Sequence, residues 1–380
     1  MPWKETDAVS ERARFIGEQA TGYWTMVELC QRHGISRTTG HKWLNRWEHE
    51  RSLQERPRAP KSCPHKTPAA VEELIVALRR QRMTWGAVTL RQRLAKLHPK
   101  LRLPAVATIS DIIERHGLVE PRRRRSPPRH PGKPYVNASG PNDVWCTDFK
   151  GQFKMRDGRL CYPLTLSDWS TRYLLGCHGL RTTEHQGVKA VFTHWFREYG
   201  LPLQILSDNG CPFASQGIAG LSRLAVWWIR LGIHPIRIEP GKPSQNGRHE
   251  RMHKTLKYDA TKPPARNLAA QQRQFDSFLE IYNDQRPHRA LDGKTPASMY
   301  RPSTRTFPER LPPVDYPSHF EVRKVCGNSC IKWHKRFIHV SRVLIGEWIG
   351  LDEVADGVWS VYLGPVLLAK LDERQERIFD

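Results

Sequence analysis

One stretch constrains this chain most: residues 239–258, EPGKPSQNGRHERMHKTLKY, where a turn rich in proline and glycine leads directly into a helical pattern. Ser244 is a good N-cap, and the pattern begins one residue later. Glu250, Lys254 and Lys257 share one face of this helix because they are spaced i, i+4 and i+7. The spacing predicts one metal-binding carboxylate beside groups that can contact a phosphate backbone. A solvated basic helix with an ion pair between Glu250 and Lys254 is the alternative.

The positive charge of the chain is large and uneven. The 380 residues include 61 Lys and Arg against 38 Asp and Glu, which gives a net charge of +23 and a pI near 10.0. From Asp315 onward there are nine basic against ten acidic residues, so the preceding part holds 52 against 28. A charge localised in this way predicts a polyanionic partner, and nucleic acid fits it best.

The sequence does not support a membrane protein or a disulfide-rich protein. No apolar run approaches the roughly 20 residues of a membrane helix, and the first ten residues lack an apolar signal region. The eight cysteines form no pair of CxxC motifs. A faint zinc-binding pattern consists of Cys326, Cys330, His334 and His339. Ordinary cysteines in a β-rich stretch explain this pattern equally well. We expect a cytoplasmic protein with reduced thiols and no membrane partner.

Residues 1–50 contain three helical segments with the spacing of a helix-turn-helix unit. Gly34 ends the second segment, and Ser36 caps the third after a tight connection. The small core is predicted to contain Leu29, Ile35, Trp43 and Leu44. Near the start of the third helix, where major-groove contacts are normally made, five side chains are expected to face outward: Arg37, Thr38, His41, Lys42 and Arg46. A basic helical hairpin that binds nothing is the alternative.

A second helical unit and a basic arm follow. Residues 51–67 are rich in proline and read as a linker, and residues 68–118 contain three further helical segments, possible components of a winged DNA-binding domain. Residues 119–141 form a basic, proline-rich arm that cannot pack as a regular element. The arginines of this arm expected to lie along DNA phosphates are Arg122, Arg123, Arg124 and Arg125. A solvated linker is the alternative.

At Asn142 the pattern changes to alternating strands, in the order βββαβαβα. This order predicts an α/β domain over residues 142–300, with a mixed five-stranded sheet and helices on both faces. The domain ends in a long helix with an apolar stripe that packs on the core, formed by Phe275, Phe278, Leu279 and Tyr282. At the end of that helix, structural roles are predicted for Asn283, Arg286 and His288.

Three acids of this domain come from three separate elements. Asp148 lies inside the first strand, Asp208 ends the fourth strand, and Glu250 stands on the helix after the fifth. Together they could hold two Mg²⁺ ions, which prefer oxygen ligands and can support an in-line phosphodiester displacement. Asp168 is a rival carboxylate between the second and third strands, but capping its own turn is the simpler interpretation.

The motifs WCTDFK, SDNG and GKPSQNGRHERMHKTLK resemble the three acidic motifs of the DDE transposase and retroviral integrase superfamily. A longer match resembles the IS481-type transposases of bacterial insertion sequences. It runs from GISRTTGHKW through LSRLAVWWIRLGI, YNDQRPHRAL and KTPASMY to GLDEVADGVWSVYLG, and so covers nearly the whole chain.

This resemblance implies a ribonuclease-H-like core whose metal-binding and catalytic triad is Asp148, Asp208 and Glu250. It implies Mg²⁺ or Mn²⁺ as cofactor, two ions per active site, and places Lys254 and Lys257 at the DNA end. Other side chains of the same segment expected to contact DNA are Lys242, Gln245, Arg248 and Arg251. One departure is the spacing of 41 residues between Asp208 and Glu250, longer than is usual in retroviral integrases, which we place in a longer loop at 211–223.

The C-terminal part is predicted to be a small β-barrel over residues 318–380, after a proline-rich linker at 301–317. Its strands alternate, and Asp356-Gly357 predicts a hairpin turn. The barrel resembles the C-terminal domains of integrases. Because its charge is nearly neutral, contact with another protein subunit and contact with DNA both stay open.

Three functions fit these features. The first is a transposase that binds terminal inverted repeats of an insertion sequence, cleaves the 3′ ends and joins them to target DNA. It would act as a homo-oligomer on double-stranded DNA, in the cytoplasm of a bacterium and on the nucleoid. A nuclease on the same fold that never joins strands is the second, and a DNA-binding regulator with an inactive core is the third. The intact triad argues against the regulator, and the tandem DNA-binding units argue against the nuclease.

Overall fold

The computed structural model describes residues 7–58, 66–119 and 136–379. The chain divides into two compact units, Met1–Lys66 and Thr67–Asp380, which are described separately. The predicted arm with Arg122, Arg123, Arg124 and Arg125 lies outside the described residues. Within the described ranges, none of the helices has the length and apolarity that crossing a bilayer requires.

The described residues 7–58 of the first unit form a three-helix bundle, with α1 at Ala8–Ala20, α2 at Met26–Arg32 and α3 at Arg37–Glu50. Each helix has a side-chain N-cap, and the Ser36 hydroxyl accepts a hydrogen bond from the backbone N–H of Thr39 as the sequence predicts. Gly34 adopts φ 63° just after α2, the left-handed conformation that suits a glycine at a helix end. The core contains Phe15, Leu29, Trp43 and Leu44, with Ile35 packed at its edge. The predicted helix-turn-helix arrangement is confirmed.

The second unit begins with three helices, α4 at Ala69–Gln81, α5 at Ala87–Leu97 and α6 at Val106–Arg115. Their apolar stripes meet in a compact core around Ile75, Trp85, Leu90 and Ile109. No strand occurs between residues 67 and 119, all of which are described, so this domain is helical without a wing of its own.

A mixed sheet forms the centre of the second unit, as predicted. Its strands are β1 (Val144–Phe149), β2 (Phe153–Lys154), β3 (Leu160–Asp168), β4 (Leu174–Leu180), β5 (Gln204–Ser207) and β6 (His234–Arg237). The five main strands lie in the order β4-β3-β1-β5-β6, and the short β2 pairs with the start of β3. Strand β3 pairs antiparallel with both β1 and β4. Strand β5 pairs parallel with both β1 and β6. The first predicted strand is thus split into β1 and β2.

Helices cover both faces of this sheet. On one face, α7 (His185–Tyr199) and α8 (Arg223–Arg230) pack Phe192 and Trp228 onto Trp145 of β1. On the other face, α9 (Gly247–Ala260) and α10 (Leu268–Glu280) pack Leu256 and Phe275 onto β3 and β4. The predicted stripe on α10 is confirmed as core. The sequence places the start of α9 too early, because residues Pro243–Asn246 form a 3-10 turn and the α-helix begins at Gly247.

Gly176 on β4 offers a test of this packing. A Cβ added there would lie 2.2 Å from ring atoms of Trp195 on α7, and that ring is only 4% exposed and cannot move aside. We expect Gly176→Ala to lower the free energy of unfolding by about 2–3 kcal/mol in urea titrations. The control is Gly187→Ala on α7, where the nearest atom lies 3.7 Å away, so stability should hold or rise slightly. Equal stabilities for the two variants would contradict this packing.

Residues 318–379, the described C-terminal part, contain seven strands in two sheets. They are β7 (Glu321–Lys324), β8 (Cys330–Trp333), β9 (Arg336–His339), β10 (Trp348–Ala355), β11 (Val358–Leu363), β12 (Val366–Asp372) and β13 (Arg377–Phe379). Five strands pair in the order β13-β12-β11-β10-β7, and β8 pairs only with β9. The predicted hairpin turn at 356–357 joins β10 to β11.

The predicted β-barrel is not confirmed. Side chains of the β8–β9 hairpin share a core with the five-stranded sheet, but among the described residues no hydrogen-bonded ladder joins the two sheets, so the barrel is not closed. Leu221, Ala225 and Ile229 at and beside α8 belong to the same core, and Arg230 pairs with Glu347 at 2.5 Å. The C-terminal sheet is therefore fixed to the central domain through α8.

Candidate active site

Two of the predicted acids lie on neighbouring parallel strands. In the β1–β5 pairing, Val144 is opposite Gln204 and Cys146 is opposite Leu206, a constant offset of 60 residues. Continuing that register places Asp208, one residue beyond β5, beside Asp148 near the end of β1. Because neighbouring strands are about 4.8 Å apart, the fold brings these two carboxylates together at one edge of the sheet.

The third acid, Glu250, lies in the first turn of α9, and that helix packs against β1 and β3. The helix has two distinct faces. His249, Met252, His253 and Leu256 are buried against the sheet, whereas Glu250 and Lys254 are exposed on another side.

Two of the acids act electrostatically on the third. Burial, then the negative charge of Asp208 and, less strongly, that of Glu250 together raise the pKa of Asp148 to about 7. Hydrogen bonding by the Phe149 N–H and the charge of Lys150 act in the opposite direction. At neutral pH Asp148 is therefore only partly ionised unless positive charge arrives at the site.

Neither Asp208 nor Glu250 forms an ion pair with a cationic side chain in the part of the chain that the structure describes. The alternative prediction, a salt bridge between Glu250 and Lys254, is therefore wrong. Asp208 Oδ1 accepts a hydrogen bond from the backbone N–H of Gly210 at 3.1 Å, which orients this carboxylate at the strand end. The acids are thus left with coordinating oxygens that no protein cation occupies.

An open cavity of about 270 Å³ lies beside Glu250. Its lining consists of Lys150, Glu250, His253, Lys254 and Lys257, so three ammonium groups surround one acid. A second cavity of similar volume lies between β6 and β12, but no acidic side chain lines it. The first cavity therefore combines an acid with groups that can neutralise phosphates.

A hydrogen-bond network that sequence reasoning missed lies beneath the acids. Thr165 is opposite Asp148 in the sheet, and its hydroxyl donates to the Asp148 carbonyl oxygen at 2.9 Å. The same Oγ1 lies 2.7 Å from both His249 Nε2 and His253 Nε2, and His249 Nδ1 lies 2.8 Å from Ser167 Oγ. Burial lowers the pKa of His249 to about 3 and that of His253 well below its ordinary value. Both rings are therefore neutral.

The single hydroxyl proton of Thr165 fixes the histidine tautomers. Because that proton goes to the Asp148 carbonyl, both histidines must donate their Nε2–H to Oγ1. His253 Nδ1 then carries a lone pair and lies 3.7 Å from Asp148 Oδ2, so this contact is neither an ion pair nor a hydrogen bond to the carboxylate. His253 consequently does nothing to stabilise the ionised form of Asp148.

Removing this hydroxyl should destabilise the fold. We expect Thr165→Val to cost about 2–3 kcal/mol in urea unfolding, because it leaves two buried N–H groups without an acceptor. The matched control is Thr193→Val on α7, which removes one hydrogen bond of 2.8 Å to the Lys189 carbonyl and should cost about 1 kcal/mol or less. Equal losses would show that the histidines find other partners.

The donor set suits a hard divalent cation in its chemistry, since the three carboxylates have no cationic partners among the described residues and the pKa of Asp148 is raised. Among residues 7–58, 66–119 and 136–379, however, no three His, Cys, Asp or Glu side chains meet the spacing of a formed metal site. The acids therefore approach each other without the closer arrangement that a shared ion would require. By the same criterion, Cys326, Cys330, His334 and His339 form no such group either.

Asp168, the rival carboxylate, is a turn cap as predicted. It is 1% exposed, and its oxygens accept from the N–H and hydroxyl of Thr171 at 2.7 and 2.6 Å and from the N–H of Asn142 at 2.8 Å. These bonds occupy both oxygens. The longer segment at 211–223, predicted as an extended loop, contains a 3-10 turn at Ile218–Gly220 and a bridge between Ala214 and Leu221.

The predicted DNA-contacting side chains fall into two groups. Those that are exposed are Arg37, Thr38, His41, Lys42, Arg251, Lys254 and Lys257. The others have protein partners. Arg46 pairs with Glu50 and lies over Trp43, Arg248 lies over Trp169, and both Lys242 and Gln245 bind Glu239.

Comparison with known proteins finds matches in the central and N-terminal parts of the chain. The integrase core domain family matches at residues 138–243 and again at residues 231–296, and a homeodomain-like domain family matches at residues 39–113. The Gag-Pol polyprotein of baboon endogenous virus (strain M7) is 30% identical over 134 residues, which are 35% of this chain. The match spans only 7% of that polyprotein's length.

Solved structures with similarity include an integrase catalytic core domain and an intasome. The catalytic core domain of HTLV-2 integrase in complex with magnesium is 18% identical with a TM-score of 0.35, covering 43% of this chain and 100% of that one. The simian T-cell lymphotropic virus intasome in complex with a PP2A regulatory subunit is 17% identical with a TM-score of 0.38. The similarity covers 77% of this chain and 97% of that one.

Residues 138–296 are thus similar to the integrase core domain over less than half of the chain. The homeodomain-like match is of a DNA-binding type, and it begins within α3 and extends into α6.

Proposed function

We propose that this protein is a DNA transposase of the IS481 type. It binds the terminal inverted repeats of an insertion sequence, cleaves their 3′ ends and joins them to target DNA. One observation carries the proposal: the parallel pairing of β1 with β5 sets Asp208 beside Asp148, and the charges of Asp208 and of Glu250 on α9 both act on Asp148, with no cationic partner for the three acids among the described residues. The tandem helical units favour a transposase over a nuclease that does not select its DNA.

The three acids would hold Mg²⁺ or Mn²⁺, two ions per site. When bound, such ions supply activation of the attacking oxygen and stabilisation of the leaving oxygen. Asp148 gives up its proton when positive charge reaches the site, and Thr165 with the two neutral histidines fixes the backbone behind it. Lys150, Lys254 and Lys257 would neutralise phosphates of the DNA end in the adjoining cavity.

Two displacements at phosphorus make up the reaction. In the first, a water oxygen attacks the phosphodiester at the end of the element, and the bond to the element's 3′ oxygen breaks, which leaves a free 3′-hydroxyl and a 5′-phosphate on the flanking strand. In the second, that 3′ oxygen loses its proton and attacks a target phosphodiester, whose own 3′ oxygen leaves and takes up a proton. Bringing two ends together requires at least two subunits, so we propose a homo-oligomer on DNA in the bacterial cytoplasm.

A strand-transfer assay tests the proposal. Purified protein with Mg²⁺ and a labelled duplex carrying the terminal inverted repeat should give both nicked and target-joined products. Nicked products without joined ones would favour the nuclease, and tight binding without either product would favour a regulator. Joined products that form equally well on duplexes without the repeat would contradict recognition of the ends.

A further inference from the structure

The end of β6 lies between the segments that carry two of the acids. The last residue of β6 and the two that follow it form what we name the β6 terminus, Arg237, Ile238 and Glu239. Ser207, the residue before Asp208, pairs with the first of these across the parallel strands β5 and β6. The chain then continues through a short 3-10 turn into α9, which carries Glu250. The β6 terminus therefore adjoins the strand that leads to one acid and precedes the helix that carries another.

One set of contacts holds the backbone around Asp208. The Asn209 Nδ2 group donates to the Ile238 carbonyl oxygen at 2.8 Å. The Ile238 N–H in turn donates to the Ser207 carbonyl oxygen at 3.1 Å. Both chain neighbours of Asp208 are thus bonded to the same residue of the β6 terminus. The backbone that carries this carboxylate is therefore held from both sides.

The far end of the loop after Asp208 is bonded to the β6 terminus as well. Arg237 donates from Nη2 to the Ala219 carbonyl oxygen at 2.7 Å and from Nη1 to the Gly220 carbonyl oxygen at 3.3 Å. Ala219 has φ 48°, a left-handed conformation that persists in a non-glycine residue only where the surroundings enforce it. The loop from residue 209 to residue 220 is therefore bonded to the β6 terminus at both ends.

On its other side, the β6 terminus is bonded to the start of α9. The Glu239 N–H donates to Gln245 Oε1 at 2.7 Å, and Gln245 Nε2 donates to Glu239 Oε1 at 2.8 Å. The N–H of Gln245 itself donates to the Lys242 carbonyl oxygen at 3.1 Å. These bonds fix Gln245 just before α9 begins at Gly247. Gln245 therefore connects the β6 terminus to the helix of Glu250.

We propose that Asn209 and Gln245 are positioning residues for the bound cation. Acting through the β6 terminus, they hold Asp208 and Glu250 in the relation that a shared divalent ion requires. In naming a divalent ion, the inference rests on the proposed function. It assigns Gln245 a role other than the DNA contact that the sequence predicts, since both polar atoms of its side chain are bonded to Glu239.

Titration of Mn²⁺ into the full-length protein without DNA tests these roles, with the electron paramagnetic resonance signal of free Mn²⁺ as the readout. We expect Asn209→Ala and Gln245→Ala each to weaken Mn²⁺ binding about 10-fold, because groups that orient metal ligands have effects of this size. DNA affinity in anisotropy without divalent cations should stay within about twofold of wild type, since neither side chain carries a charge. A loss of DNA affinity in Gln245→Ala with unchanged Mn²⁺ binding would restore the DNA contact and overturn the positioning role.

The matched control is Gln272→Ala on α10. Gln272 also bonds two backbone groups, since it accepts from the Gly179 N–H at 2.9 Å and donates to the Cys177 carbonyl oxygen at 2.9 Å. These bonds join α10 to β4, so their loss should lower the urea midpoint about as much as Gln245→Ala does, with Mn²⁺ binding within about twofold of wild type. An equal loss of Mn²⁺ affinity in Gln272→Ala would reduce the effect to general destabilisation and overturn the proposal.

Asn209 is exposed, so Asn209→Ala keeps the test decisive even where Gln245→Ala fails to fold. Normal Mn²⁺ binding that the folded variants retain would overturn the inference alone. A wild type that binds no Mn²⁺ would overturn the cation site of the proposed function together with the role of these residues in it.

Amide hydrogen exchange without divalent cations tests the coupling itself. We expect Gln245→Ala to speed exchange at least about threefold at residues 208–210 as well as at the start of α9, because the β6 terminus is bonded to both segments. Gln272→Ala should speed exchange only in α10 and β4. Faster exchange in Gln245→Ala that is confined to residues 239–250 would contradict transmission through the β6 terminus and overturn the proposal.

Discussion

Asp208→Asn is expected to reduce 3′-end cleavage and strand transfer together by at least about 10³-fold, or about 4 kcal/mol of transition-state stabilisation. The substitution keeps the size of the side chain and its bond to the Gly210 N–H, but it removes a negative charge that a divalent cation requires. Gel analysis of labelled nicked and joined products measures both steps. DNA affinity in anisotropy should stay within about twofold, because repulsion between the acid and phosphates is lost while the basic residues remain.

The matched control for this prediction is Asp276→Asn. Asp276 is exposed on α10 and accepts a hydrogen bond from Gln272 at 2.8 Å. It is not among the charged groups that act on Asp148. Its substitution should leave both activities unchanged. Glu250→Gln should behave like Asp208→Asn. Joined products that survive either triad substitution would show that the acids assigned here do not carry the reaction.

Asp148→Asn is expected to stabilise the protein at pH 8 in the absence of divalent cations, by about 2–4 kcal/mol. The folded-state pKa of Asp148 is about 7 against an ordinary value of 3.8, so the folded state binds more protons than the unfolded state between these values. The stability of the wild type therefore falls as pH rises from about 4 to 7, and the full cost is present above 7. The amide carries no charge and avoids this cost.

Urea unfolding between pH 5 and pH 8 measures the effect. The difference between Asp148→Asn and the wild type should grow with pH, and Mg²⁺ at pH 8 should raise the melting temperature of the wild type but not that of the variant. Asp276→Asn should track the wild type at every pH. A difference that stays constant with pH would contradict a raised pKa for Asp148.

These effects separate stability from function at one site. Burial and mutual repulsion of the acids destabilise the fold, and a bound cation would relieve both at once. A cation site thus predicts that a triad variant is more stable than the wild type and inactive. A packing defect in the core would instead lower stability.

Much of the central domain follows from the sequence because its signals are local. Alternation in the segments around Asp148 and the apolar run before Asp208 predict strands of a mixed sheet. The parallel pairing of these two strands and its register come from the structure. The position of Glu250 on α9 follows from its helical spacing, although the 3-10 turn before it shortens the helix by two residues.

Other features depend on contacts that no local pattern records. His249 and His253 lie among charged residues in the sequence, and only the hydroxyls of Thr165 and Ser167 on β3 explain their burial. Their i, i+4 spacing on the stripe of Met252 and Leu256 was the available signal.

The C-terminal sheet shows a further limit. Alternation over residues 318–380 predicts its strands, but closure depends on which edges pair. There, β7 and β13 remain edge strands of the five-stranded sheet while β8 pairs with β9.

Binding of divalent cations by the three acids is the claim on which the rest depends, and anomalous diffraction from crystals soaked in Mn²⁺ tests it most directly. The account predicts anomalous peaks within about 2.0–2.6 Å of carboxylate oxygens, with Asp148, Asp208 and Glu250 all contributing ligands. It also predicts that these peaks vanish in Asp208→Asn crystals grown in the same form. Mn²⁺ bound elsewhere, in crystals of protein that is active with Mn²⁺ in solution, would contradict it.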